Sequence, residues 1–176
     1  MARGEHPRGE QAGAVRLLPR PIKLRLADIR RHYEALAFVL EETANEDFTR
    51  AARLGDPVEL AHHVYPLERA FEILCNYTAE LNALGLEEAG IDPEDRPTNL
   101  RLLRREGVID GRLARVLRGT LTARNELQHE YPDVRAAGIY QAATDLAAEL
   151  PGYLRCYVAW MRRLGFGRSD EVGVGA

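Results

Sequence analysis

From Leu26 to Leu164, apolar side chains recur three and four residues apart, broken only by clusters of Gly and Pro, and this constrains the fold most. That spacing lines one stripe of a helix, whereas a half-buried strand needs strict alternation, and no segment shows it. A first helix carries Leu26, Ile29, Tyr33, Leu36 and Leu40 and runs on to Phe48–Leu54, where Gly55-Asp56-Pro57 interrupts it. Asp56 suits an N-cap and Pro57 a first helical turn. The second stripe is Leu60, Val64, Leu67, Phe71, Leu74 and Leu81, ending between Gly85 and Gly90; Pro66 either kinks this helix or marks its start.

Residues 91–98, with Pro93 and Pro97, read as a loop before a short helix over Asn99–Glu106 stopped by Gly107. Asp110 caps the next helix, which bears Leu113, Val116, Leu117 and Leu127 and is ended by Pro132. The last begins near Asp133, uses Tyr140, Ala143, Leu146 and Leu150, kinks or restarts at Pro151-Gly152, and continues with Leu154, Tyr157, Val158, Met161 and Leu164. Long helices with short connections predict an all-α, antiparallel up-and-down bundle of four to five helices. The expected organisation is a flexible leader at 1–23, a bundle at 24–164 and a flexible tail at 165–176.

The 176 residues suffice for one domain with a proper core. No apolar run reaches the roughly 18 residues that span a bilayer, and the N-terminus lacks the apolar core of a secretory signal, so a cytoplasmic protein is expected. Cys75 and Cys156 form no metal or redox pattern; both read as small core residues. His62 and His63 are adjacent, so on a helix they diverge by about 100° and cannot readily share a metal. No metal and no cofactor is expected. Phe71, Tyr140, Tyr157 and Trp160 fall at helical spacing and suit a core or an interface.

The net charge is −3, with residues 1–23 at +3 and the remainder at −6, which is not the footprint of tight nucleic-acid binding over a broad face.

The chemistry concentrates in Arg124-Asn125-Glu126-Leu127-Gln128-His129-Glu130-Tyr131. At about 100° per residue, with Arg124 at zero, Asn125 lies near 100°, His129 near 140° and Tyr131 near −20°. Asn125 and His129 thus stack one turn apart, Arg124 and Tyr131 share the adjoining edge, and Leu127 anchors the helix. Metal-free RNA cleavage needs a base for the 2′-hydroxyl, an acid for the leaving oxygen and a cation for the charge on phosphorus. His129 suits the proton transfers, Arg124 the phosphate, and Asn125 can orient the imidazole. One chain supplies one such histidine, and a two-fold dimer would supply two. The plainer alternative is a surface helix end whose arginine pairs with Glu126 or Glu130.

The string R-N-x3-H-x-Y, formed here by Arg124, Asn125, His129 and Tyr131, resembles the HepT-like branch of the HEPN superfamily. The resemblance extends from about Pro57 to Leu164 through Leu67-Glu68-Arg69-Ala70, Gly107-Val108-Ile109-Asp110 and Leu150-Pro151. It implies a HEPN-type helical bundle that dimerises and acts as a metal-independent endoribonuclease toxin on an RNA substrate, with Arg124 and His129 catalytic. It further implies a minimal nucleotidyltransferase antitoxin as partner, which silences the toxin by attaching AMP to Tyr131; a bulky anion there would fill the phosphate site beside Arg124. Gln128 stands where the family usually carries an apolar residue, and Glu126 and Glu130 add negative charge. Those acids and the −6 body motivate the alternative, a non-catalytic dimeric module that binds a nucleotidyltransferase or nucleotide.

Overall fold

A computed structural model describes residues 16–127 and 136–167. They form an all-α bundle: α1 (Arg20–Glu42), α2 (Asn45–Leu54), α3 (Pro57–Glu59), a π-helical turn (Leu60–Val64), α4 (Tyr65–Glu88), α5 (Arg96–Arg105), α6 (Gly111–Leu127) and α7 (Ala136–Arg163). No strand occurs among the described residues. The apolar stripes meet in one core, in which α1 packs on α4, α6 on α7, and α4 also touches α5, α6 and α7. Leu26, Ile29 and Leu36 of α1 are buried against it, as are Leu67, Phe71, Leu74 and Leu81 of α4.

The expected first helix is two helices. Thr43 and Ala44 adopt extended backbone between α1 and α2, and the Thr43 carbonyl accepts a hydrogen bond from the Tyr140 hydroxyl of α7 at 2.8 Å. Gly55, at φ 67°, closes α2 in the left-handed conformation that glycine tolerates best. Asp56 then caps the next helix as expected, accepting from the amides of Val58 and Glu59 at 2.9 and 3.1 Å.

Pro66 lies in the first turn of α4 and so marks that helix's start, the second of the two expectations. The chain widens into the π-turn just before Pro66, where the Tyr65 amide reaches the Leu60 carbonyl, and α4 continues beyond. Such a turn absorbs a proline that would otherwise crowd the preceding carbonyls. Pro151 lies inside an unbroken α7, because Leu146, Leu150, Tyr153 and Tyr157 hold one buried stripe across it. The short helix starts at Arg96, earlier than expected. Asp95 accepts from the Thr98 amide at 2.7 Å, and Pro97 occupies the first turn rather than a loop.

The expected boundaries at residues 23 and 165 move outward. Leu18 and Ile22 are buried, Arg16 bridges Phe166, and Phe166 is itself buried beneath the Arg16 guanidinium. Cys75 is buried, but Cys156 is exposed rather than a core residue. It lies about 90° from the middle of the Leu146–Leu150–Tyr153–Tyr157 stripe of α7, a displacement that a merely apolar neighbourhood conceals. No helix among the described residues is long and apolar enough to cross a membrane.

Two features fix how α4 meets α7, and so the frame that carries the helix end of interest. Gly85 lies where a Cβ would stand 2.6 Å from the Trp160 ring and from the Tyr157 hydroxyl, so only glycine permits the close approach. Nearby, the Tyr153 hydroxyl donates to Asn82 Oδ1 at 2.6 Å and the Tyr157 hydroxyl to the Leu81 carbonyl at 3.0 Å. All these groups are buried, and each phenol has its hydrogen-bond partner.

Candidate nuclease site at the end of helix α6

Helix α6 starts where expected, with Asp110 accepting from the Leu113 amide at 2.8 Å. Leu113, Ala114, Leu117, Thr120 and Ala123 are its buried face, which leaves Arg124 at the margin of the core and Asn125 exposed one step round the helix. Arg124 is described through a side chain only 15% exposed, its aliphatic part packed while the guanidinium faces α4. His129 and Tyr131 lie outside the described residues, as do Gln128, Glu130 and Pro132.

One partner of Arg124 comes from α4. Arg124 Nη2 stands 4.0 Å from Glu72 Oε1, while Glu72 Oε2 meets Arg69 Nη1 at 3.3 Å. Glu72 is therefore shared between an arginine of its own helix and one of α6. Arg124 Nη1 also approaches Asn125 Oδ1 at 3.4 Å, so the two adjacent motif residues touch although their helical directions differ by about 100°.

Tyr65, Glu68, Arg69 and Glu72 fall within about 100° of arc on α4 and, with Leu127, line an open groove of ≈ 270 Å³ beside the end of α6. Burial, and then the neighbouring Glu72 carboxylate, raise the Glu68 pKa above its ordinary value. Glu68 thus holds its proton more readily than a solvated glutamate does. Behind Arg124, the Cys75 thiol donates to the Thr120 carbonyl at 3.9 Å, and burial pushes its pKa up to about 12. A thiol so far from ionising is not a nucleophile.

The acidic wall on α4 was not anticipated from the sequence. Its signal is the Glu68–Arg69–Glu72 spacing, which puts three charges on one half-buried edge, but only the packing of α4 against α6 aims that edge at Arg124. His62 and His63 take no part. They lie within the π-turn, and His63 Nε2 is 3.8 Å from Glu59 Oε2.

The arrangement provides a cation, Arg124, beside a groove, an amide next to it, and a carboxylate of the groove wall, Glu72, that positions the cation and competes for it. Residues 29–156 match the family model described as Ribonuclease HepT-like. No curated protein and no solved structure matches the chain.

Proposed function

Because the chain belongs to the HepT-like ribonuclease family, we propose that it is a metal-independent endoribonuclease whose site is the end of helix α6. The observation that carries this reading is Arg124, in the last turn of α6, held at the edge of the core by Glu72 while its neighbour Asn125 stays exposed. In the proposed reaction Arg124 binds the scissile phosphate and balances the negative charge that grows on it. One His129 removes the 2′-hydroxyl proton, the oxygen attacks phosphorus, and the bond to the 5′-oxygen breaks as an acid protonates that oxygen. A homodimer that brings two α6 ends together supplies the second His129 as the acid, and Asn125 orients the imidazole.

The chain is further proposed to be the toxin of a toxin–antitoxin pair. Its partner is a minimal nucleotidyltransferase that attaches AMP to Tyr131, placing a phosphodiester anion where Arg124 would otherwise meet RNA. The test is cleavage of RNA by purified protein in excess EDTA. Wild type cleaves, and His129→Ala does not while keeping its helical circular dichroism; undiminished cleavage by that variant overturns the assignment.

A second reading, a non-catalytic module that binds the nucleotidyltransferase or a nucleotide, draws on Glu68 and Glu72, which set negative charge where a polyanion would approach. It predicts binding of the transferase with no cleavage in the same assay.

A further inference from the structure

Residues 96–127 carry eight arginines against Glu106, Asp110 and Glu126, a net of +5 in a chain whose total is −3. Folding gathers four of them. Arg101, Arg104 and Arg105 of α5 and Arg118 of α6 line an open groove of ≈ 360 Å³, with Leu100 and Ala114 at its base. No acidic side chain lines it among the described residues. Arg101 donates to Thr98 Oγ1 at 2.7 Å, and Arg105 Nε meets Glu106 Oε1 at 3.3 Å. Arg104 and Arg118 make no ion pair and no side-chain hydrogen bond among the described residues. Four like charges converge there and only Arg105 of the four has a carboxylate partner among the described residues, so they repel one another, and a polyanion relieves that repulsion.

An exposed edge of α6 runs from the groove toward the end of that helix. Arg115, Arg118, Thr122 and Asn125 are all exposed and fall within about 80° of arc on that helix, and Arg118 precedes Asn125 by about 10 Å of helix axis. An extended chain of phosphates can follow this edge. A folded acidic protein is a poorer fit, because stable protein interfaces centre on apolar or aromatic anchors and here the two apolar lining residues, Leu100 and Ala114, are both buried.

We infer that the α5–α6 groove binds the phosphodiester backbone of single-stranded RNA and leads the strand along the Arg118–Thr122–Asn125 edge toward Arg124. The direction of the track rests on the ribonuclease reading; the ligand chemistry of the groove does not. Planar guanidinium groups take phosphate in two-point contact and also stack on bases, so recognition here is of backbone rather than sequence.

The test is fluorescence anisotropy of a labelled oligouridylate titrated with full-length protein carrying His129→Ala, so that the strand stays intact. Arg104→Ala with Arg118→Ala, both at exposed positions, weakens binding by about five- to tenfold at low salt. It also lowers the slope of log K against log salt by about 1.4, as the loss of two phosphate contacts on a single strand requires. Arg31→Ala with Arg53→Ala, on α1 and α2 outside the groove, changes neither. Equal losses in the two double variants overturn the groove, as does the absence of RNA binding by the protein bearing intact arginines. Displacement by polyglutamate at lower concentration than by unlabelled RNA, with the same dependence on Arg104 and Arg118, assigns the groove to an acidic protein and also overturns it. RNA binding that needs Arg104 and Arg118 in a protein that never cleaves supports the groove while the ribonuclease reading fails.

Discussion

Arg124 of α6 and Glu72 of α4 face each other where the two helices meet, Nη2 to Oε1 at 4.0 Å, and Glu72 is simultaneously engaged by Arg69 at 3.3 Å. The pair is only partly exposed, so solvent screens it less than a fully exposed ion pair. Two consequences oppose each other. The carboxylate holds the guanidinium beside the groove, and it occupies the charge that a phosphate would use in the proposed reaction.

Glu72→Gln keeps the shape of that contact and removes the competing charge. The expected result is a KM for RNA lowered by about two- to fivefold, with the largest gain at low ionic strength. Steady-state cleavage at two salt concentrations checks it; an unchanged or raised KM shows that Glu72 does not compete with substrate.

Glu68 supplies a pH prediction. Its folded pKa is raised above the ordinary 4.5, by burial first and by Glu72 second. Between those two values the folded chain binds more protons than the unfolded chain, so stability falls as pH rises through the window, and the penalty is complete above it. Glu68→Gln, which mimics the protonated form, should therefore melt at a higher temperature than wild type near neutral pH. The gap should close as pH is lowered toward 4.5. A gap independent of pH would mean that the charge of Glu68 is not its source.

The α4–α7 crossing separates two glycines. Gly85→Ala forces a methyl against the buried Tyr157 and Trp160 and should cost about 1–3 kcal/mol, in spite of the better helix propensity of alanine. Gly119→Ala on α6, where a Cβ meets nothing within 4 Å, should stabilise by about 0.5–1 kcal/mol. Denaturant unfolding of both variants measures the contrast.

Tyr153→Phe removes the donor to Asn82 and leaves a buried amide oxygen without it. The expected cost is about 1–3 kcal/mol in the same unfolding assay. A loss below a few tenths of a kcal/mol would show that another group takes over the bond.

The stripes of apolar residues made the all-α bundle legible, and the N-cap at Asp110 together with Arg124 and Asn125 placed the candidate site at the end of one helix. What local pattern did not contain were decisions made by distant residues. The break at Thr43 depends on Tyr140 taking its carbonyl from another helix. Pro66 and Pro151 are absorbed, one by a π-turn and one by a buried stripe that continues across it. Glu72 becomes the partner of Arg124 only because α4 and α6 pack together, which no spacing within either helix encodes. The start of α5 was legible in principle, since Asp95 before Pro97 is a capping pattern, but the two prolines nearby favoured a loop reading.

The proposed role of Arg124 as the cation that receives the scissile phosphate is tested most directly by the rate of RNA cleavage in excess EDTA by wild type and Arg124→Ala. The two are compared at equal helical content and saturating RNA. The expected result is a loss of about 100- to 1,000-fold, the scale on which removal of one charge-stabilising group slows a reaction. Cleavage by Arg124→Ala at the wild-type rate would contradict the account.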